Sequence, residues 1–518
     1  MKVLLLKLPY CPHPKTTKPA DFRTKSSFRP VPSLALATLT AFLRRYAPGI
    51  EVEAIDLNIM AYERPGTPIR EDLYADLLEM AIQNSEYDVL GLSAMFVYNE
   101  KWVETACCLS RKHHRKAQVV VGGGYPTMFP DRCKSEHHVH PIVGEGEIKL
   151  TEWLLGLIGR RPPPGLAGGG PMPPKLLPPP AWDALDVSRY FEASGDRVLP
   201  IEASRGCPYA CTYCTVSAVW GDKVRYKPVE NLIAEIKLAR KRYGVETLHF
   251  VDDNLTFNRQ WAKEFLTRLV DMKNRPAITA SNFSVKHLQP EIVDLLLAAG
   301  MRQFNVAIET GSPAIQKRIN KKLDLAKARK TVAMLKDKGC TVHLCWMLGF
   351  PGETRKQIEQ TLNLAREMNA HSNQFLTVLP YPGTKLFEEA KATGWLKLDP
   401  DDLDHYDCRG GDYIASHEWT AEELRDLIYD ANIEMNFIHN PWWNEPEGRM
   451  RMREQLGALV LRLPDHVIAH YLLGILGVDG HYHRALHLLE RDDLRKVFGK
   501  YMGAAEALRA RELGVTSS

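Results

Sequence analysis

No stretch of this chain reaches the roughly 18 unbroken apolar residues of a membrane span, so no membrane partner is expected. Neither sign of charge is in excess: 67 Lys and Arg against 63 Asp and Glu leave a net charge of +4 over 518 residues. A nucleic-acid partner calls for a basic stripe, and that balance predicts none. A disulfide framework is missing too, because the ten cysteines are scattered along the length. The opening run Met1-Lys2-Val3-Leu4-Leu5-Leu6 meets Pro9 too soon for a signal peptide and reads as a buried first strand. A reducing, cytoplasmic location is the expectation these absences support. No repeat of solenoid period is found. What remains is an ordinary globular composition, 45% hydrophobic and 25% charged, with length for about two to four domains.

Within that plain background three cysteines are crowded together. Cys207, Cys211 and Cys214 form a CxxxCxxC run inside Ser204-Arg205-Gly206-Cys207-Pro208-Tyr209-Ala210-Cys211-Thr212-Tyr213-Cys214. Thiolates are the usual protein ligands of iron–sulfur cubes, and three of them leave one iron of a [4Fe–4S] cluster open to a small molecule. A structural zinc wants a fourth ligand, and the loop offers no further Cys or His. The spacing, the aromatic Tyr213 before the last cysteine and the leading Ser-Arg-Gly resemble the radical S-adenosylmethionine (radical SAM) enzymes.

The rest of the chain falls into stretches of different pattern. Residues 1–158 alternate strand and helix, with strands at Lys2–Leu8, Ile50–Asp56, Val89–Ser93, Gln118–Val121 and Ile142–Val143. That order predicts a doubly wound, Rossmann-like α/β domain with a parallel sheet, whose ligands sit at the carboxyl ends of the strands. Residues 159–190 are rich in Pro and Gly and read as a linker crossing a surface. Residues 191–399 give a second alternating series, with strands at Leu199–Ser204, Thr247–Val251, Ala277–Ser281, Gln303–Glu309, Thr341–Leu348 and Gln374–Leu379. Six β/α units predict a partial, TIM-like barrel with its chemistry at the strand C-termini, where the cysteine loop lies. Residues 400–518 lose the strand signal and read as a helical accessory domain.

The radical SAM resemblance extends along the barrel, over roughly a domain's length from Pro200 to Phe387. The second strand ends in Asp252-Asp253-Asn254, where the resemblance implies a contact to the amino group of SAM's methionine part. The usual Gly-Gly-Glu is replaced here, and which aspartate acts stays open; a turn or helix cap is the alternative. Ile308-Glu309-Thr310-Gly311-Ser312 is similar to the family's next SAM segment and implies that Glu309 faces the ribose or methionine end, though Ser312 suits a capped helix equally well. The loops from Gly349 and after Leu379 resemble those that line the adenine, and Tyr213 and Ser281 complete the implied SAM contacts.

A second resemblance, to cobalamin-binding domains fused to radical SAM barrels, lies in the first 158 residues. Pro32-Ser33-Leu34-Ala35-Leu36, Gly91-Leu92-Ser93-Ala94-Met95, Val121-Gly122-Gly123-Gly124-Tyr125-Pro126-Thr127 and Val143-Gly144-Glu145-Gly146-Glu147 follow the family's signature loops in order. It implies cobalamin contacts at Tyr10, Ser93, Met95, Gly122, Gly123, Gly124, Thr127, Gly144, Glu145 and Gly146. Glycines let backbone approach a flat macrocycle or its nucleotide tail. The triplet alone would equally suit a dinucleotide phosphate, although the spacing is not GxGxxG. The DxHxxG loop that supplies a histidine to cobalt is missing, so the resemblance implies base-off cobalamin with no protein His ligand, its lower face against the Tyr10–Pro32 or Ser93–Tyr98 loop.

Together the resemblances imply a cobalamin-dependent radical SAM methyltransferase of the class B kind. It would transfer methyl from methylcobalamin to an unactivated carbon, less readily phosphorus, of a small-molecule biosynthetic intermediate by way of a 5′-deoxyadenosyl radical. An external one-electron reductant such as flavodoxin or ferredoxin would drive it. Ring closure or rearrangement without methyl transfer, and a non-catalytic iron–sulfur or corrinoid sensor, are the alternatives. A tRNA methylthiotransferase fits less well, since Cys11, Cys107, Cys108 and Cys133 do not fall on the loops that family uses. Cys408 and Tyr406, just past the barrel, are the weak candidates for catalytic side chains; Cys340, Cys345, Cys107 and Cys108 read as packing. Replacing Cys207, Cys211 and Cys214 with alanine is expected to abolish bound iron and the release of 5′-deoxyadenosine, measured by iron analysis and by chromatography after reduction.

Overall fold

The computed structural model describes residues 1–10, 30–64, 71–135, 139–163, 166, 170–399, 401–403, 406 and 413–512. Strands β1 (Lys2–Lys7), β2 (Glu51–Asp56), β3 (Val89–Ser93), β4 (Gln118–Gly122) and β5 (His140–Ile142) form one parallel sheet in the order β2-β1-β3-β4-β5. Successive side chains of a strand point to opposite faces, and here both faces are covered. Val3 and Leu5 join one buried cluster while Leu4 and Leu6 join another. That is why β1 reads as a solid apolar run. The register places Lys7, Asp56, Ser93, Gly122 and Ile142 in one row along the carboxyl edge.

The Pro/Gly-rich stretch does more than cross a surface. Leu166, Met172 and Leu177 are buried around Phe42 of the helix Leu34–Tyr46, and Trp182 and Leu185 are buried beyond them. Proline needs no backbone donor, so a chain without a ladder can still seat apolar side chains.

The second body is built from β6 (Val198–Ile201), a two-stranded hairpin of β7 (Ser204–Arg205) with β8 (Arg225–Tyr226), then β9 (Thr247–Phe250), β10 (Ala277–Ala280), β11 (Gln303–Glu309), β12 (Thr341–Leu348) and β13 (Ser372–Thr377). The parallel strands pair as β6-β9-β10 and β11-β12-β13, and a parallel bridge between Phe283 and Val306 joins the two sets. Six parallel strands in sequence order make the expected partial barrel. On β12 every second residue is buried against the surrounding helices, while Thr341, His343, Cys345 and Met347 line the half-open inner face.

A partial barrel leaves its last strand with an unpaired edge, a liability that proteins cover. Here three asparagines do so. Asn432 accepts from the Phe375 amide (3.4 Å) and donates to its carbonyl (3.3 Å). Asn436 does the same to Asn373 at 2.6 and 2.7 Å, and Asn440 donates to the His371 carbonyl at 2.8 Å. Four helical residues rise about 6 Å, and two strand residues about 6.6 Å, so a ladder of i, i+4 and i+8 amides matches Phe375 and Asn373 of β13 and His371 just before it. The helix Ala421–Ile433 opens into a π turn over Glu434–Ile438 where the ladder runs.

The accessory helices 446–462, 467–475, 481–488 and 492–512 pack on one another around Trp443, Tyr471 and Leu472. All four lie within residues 400–518, the stretch expected to be helical. No helix among the described residues is long and apolar enough to cross a membrane. Asn436→Leu is expected to strand both backbone groups of Asn373 and to cost about 2 kcal/mol, read as a lower denaturation midpoint.

Candidate functional site

The cysteine loop leaves the barrel between β7 and β8, at the carboxyl end of β6. Gly206 holds φ +92°, and a Cβ there would sit 2.5 Å from the Lys223 carbonyl, so the loop's entry and return touch at a position only glycine fits. From there the loop is pinned by its neighbours: Thr212 donates to the Ile319 carbonyl (3.0 Å), Asn320 to the Ala210 carbonyl (2.9 Å), and Leu386 to the Thr212 carbonyl (2.9 Å). Cys207, Cys211 and Cys214 are free, half-buried and within electrostatic reach of one another. No three His, Cys, Asp or Glu among the described residues converge as they would around a single ion. A cube takes one thiolate per iron, and three separate thiols on one braced loop fit that donor set.

The two aspartates after β9 have different surroundings. Asp252 is 4% exposed and accepts from the amides of Ala203 and Ser204 and from the Ser204 hydroxyl (2.6 Å). Burial nevertheless pushes its carboxyl up to about 7. Asp253 is half-buried, accepts from the Gly206 amide, and lies within electrostatic reach of Cys207 and Cys214; burial and then Glu202 raise it to about 6. Asp252 thus ties β9 to β6, and Asp253 faces the cysteine loop.

Glu309 ends β11 at φ +72°, a conformation costly for a side chain with a Cβ, and a register shift precedes it. Its Oε1 accepts from the Tyr213 hydroxyl (2.9 Å) and from Lys321 Nζ (2.7 Å). Ser281 lies beyond β10, with its hydroxyl 2.9 Å from His249 Nε2; His249 Nδ1 lies 2.9 Å from the Thr279 hydroxyl. Gly349 donates to the buried Glu353 (2.7 Å), and a Cβ on it would meet Leu424. Leu379 is half-buried where the cores of the barrel and the first domain meet.

The expected cobalamin residues divide by role. Gly123 and Gly124 serve the fold: a Cβ on either would lie 2.4 Å from the Ala94 carbonyl oxygen or 2.3 Å from that of Met95. Gly122 and Gly144 are half-buried but less crowded, a Cβ meeting Ile142 at 3.9 Å and the Val219 carbonyl at 3.6 Å, and Met95 beside them is 62% exposed. This flat-backed edge next to Ser93 fits a macrocycle. Thr127 braces two loops, donating to the Gly123 carbonyl (2.7 Å) and accepting from the Gly144 amide (2.9 Å). Gly146 starts the helix Gly146–Leu157 under Leu39. Tyr10 lies with its ring 4.4 Å from Lys7 Nζ, and its amide donates to Asn58. Residues 11–29 of the expected lower-face loop lie outside the described residues, as does Cys408. Tyr406 is fully buried against Tyr381 and Phe387, with no hydrogen-bond partner for its hydroxyl.

The same loop that carries Gly144 also grips the barrel. Glu145 pairs with Arg225, which also donates to the Met172 carbonyl. Glu147 pairs with Arg205 at 2.6 Å, and Arg205 reaches Glu202 at 2.7 Å while stacking on Trp220. Arg205 is 5% exposed and Glu147 6% exposed. Burial alone would push the Glu147 carboxyl up, but the Arg205 charge and hydrogen bond, with the helix-start amide and Arg225, together outweigh it and hold the group below its ordinary value. Arg205 and Glu147 were visible in the motifs as charges among glycines, yet only the fold shows that they meet. Lys321 and His249 also emerge only here.

Comparison with known proteins finds two families along the chain. The Radical SAM superfamily matches residues 201–365 and the B12 binding domain matches residues 24–154. The chain is similar to the cytidylyl-2-hydroxyethylphosphonate methyltransferase of Streptomyces wedmorensis, 25% identical over 462 residues, covering 78% of this chain and 86% of that one. In fold it resembles the cobalamin-dependent S-adenosylmethionine radical enzyme OxsB with aqua-cobalamin bound (TM-score 0.66, 15% identity, 100% of this chain and 82% of that chain). It also resembles the radical S-adenosylmethionine methyltransferase TsrM from Kitasatospora setae (TM-score 0.59, 18% identity, 77% of each chain). Glu147→Gln is expected to leave a buried guanidinium underpaired and to destabilise the fold by about 3 kcal/mol, read by thermal denaturation; Arg205→Lys, which keeps the charge and loses the fork, should fall between it and the parent.

Proposed function

This chain is a radical SAM enzyme with an N-terminal B12-binding domain, and from that premise we propose that it transfers a methyl group from methylcobalamin to an unactivated carbon of a small-molecule biosynthetic intermediate. When bound, the cluster with SAM supplies a 5′-deoxyadenosyl radical, and cobalamin supplies the methyl group. The chain's own residues then hold, orient and exclude water. Cys207, Cys211 and Cys214 are the thiolates for the cluster. Asp252 is occupied by Ala203 and Ser204, so we assign SAM's ammonium group to Asp253. Glu309, with one oxygen fixed by Tyr213 and Lys321, offers the other to the ribose or methionine end. Ser281 and the Gly349 and Leu379 loops flank the remaining SAM surface.

On the other side, Ser93, Met95, Gly122 and Gly144 form the platform for cobalamin, with Tyr10 at its margin. Gly123, Gly124, Thr127, Glu145 and Gly146 shape that platform from behind. We assign cobalamin a base-off state without a protein histidine on cobalt, as the missing DxHxxG loop suggests. The single observation that carries the reading is the buried Glu147–Arg205 pair: it sets the carboxyl edge of the first sheet against the root of the cysteine loop. Two cofactor surfaces held face to face suit a reaction that needs both at one carbon. The methyltransferase likeness from Streptomyces wedmorensis supports methyl transfer over rearrangement.

The test is turnover of reconstituted enzyme with SAM carrying a deuterated methyl group. Labelled methyl in the product is expected. Product that is rearranged but unlabelled overturns the methyl-transfer reading.

A further inference from the structure

The cysteine loop has an outer side that the cofactor surfaces do not use. Pro208 and Ala210, between the first two cysteines, are exposed. Around them lies a group of cations from three different segments. Lys286 sits with Nζ 4.3 Å over the Tyr209 ring and donates to the Lys321 carbonyl (2.9 Å). Lys327 donates to the Lys286 carbonyl (3.2 Å). Lys322 is exposed, adjoins Lys286 electrostatically, and stands at φ +50° two residues after Asn320 at φ +55°. Two consecutive-but-one left-handed residues without glycine mark a backbone held against its preference. Asn320 is the residue that grips the Ala210 carbonyl, so the bent segment and the cysteine loop are one piece.

The acids nearby offset this charge only in part. Asp324, an exposed helix cap that accepts from the amides of Ala326 and Lys327, keeps its negative charge, whereas Glu291 pairs with Arg259 and Lys263, and Glu309 is buried with Lys321 on the inner side. A cationic rim around the outward edge of a redox loop is what an acidic partner recognises, and such encounters need only a small interface.

We propose that Lys286, Lys322 and Lys327, with Tyr209 under Lys286, are the docking surface for a small acidic electron carrier of the flavodoxin kind; this rests on the reading that Cys207, Cys211 and Cys214 hold the cluster. One electron leaves the reduced flavin and enters the oxidised cluster, and no bond on this chain forms or breaks. The opposite side of the loop stays free for SAM and cobalamin.

The experiment compares the parent with K322E/K327E and with K322Q/K327Q. Binding of oxidised flavodoxin to the cofactor-free chain is followed by calorimetry, and 5′-deoxyadenosine release from the holoenzyme is driven by reduced flavodoxin or by dithionite. Charge reversal is expected to weaken flavodoxin binding and flavodoxin-driven release about tenfold, with a flatter salt dependence. The glutamine pair should show a smaller effect of the same sign. Dithionite-driven release should match the parent, which also shows that the variants fold. Unchanged flavodoxin binding in a folded K322E/K327E chain overturns the docking surface. Failure of dithionite to drive release in the parent overturns the radical reading instead.

Discussion

The molecule is organised around one buried guanidinium. Arg205 stands two residues before Cys207, and its planar fork spans a glutamate of its own barrel and a glutamate of the other domain. A buried charge of this kind is tolerable only when paired, so its geometry is strict: Nε and Nη2 carry the two carboxylates, while Nη1 is buried without a hydrogen-bond partner. Because both partners are carboxylates, neither domain can drift without leaving charge unpaired in a dry setting. The cysteine loop therefore inherits its position from both domains at once. Arg225, opposite Arg205 in the β7–β8 hairpin, repeats the device with Glu145 and adds the backbone of Met172 from the Pro/Gly-rich stretch.

Local constraint and chemistry meet at the strand ends. Tyr213, Glu309 and Lys321 form a closed hydrogen-bonded group between the last cysteine and β11, and Glu309 takes a left-handed backbone to reach it. Strain of that sort persists when its surroundings over-determine it. On the first domain, the glycine triplet splits into two that pack against Ala94 and Met95 and one that is less crowded. The same residue type thus does two jobs within three positions, which no motif distinguishes.

Much of this was legible in the chain. The parallel strands lie within three residues of where apolar runs and turn residues placed them, because parallel strands packed in a covered sheet leave a strong apolar signal. The cysteine spacing pointed to a cluster. What stayed hidden depends on distance along the chain. Arg205 and Glu147 are 58 residues apart, and Asn436 and Asn373 are 63 apart. Pairings of that kind are set by how the layers come together, and each residue alone looks like surface polarity. The division of labour between Asp252 and Asp253 was hidden for the same reason: adjacent strand-end residues point opposite ways, and only the fold says which way is inward.

The asparagine ladder has a consequence for how the chain can be divided. A barrel cut off before residue 421 would keep every cofactor loop yet present β13 with free amides and carbonyls. Such an edge templates pairing with another copy, so the excised barrel would tend to associate strand to strand in place of remaining single. The accessory helices are in this sense a built-in seventh neighbour, satisfying by side chains what a closed barrel satisfies with another strand. A half-open cylinder can then keep its mouth wide for cofactors without its rim becoming adhesive.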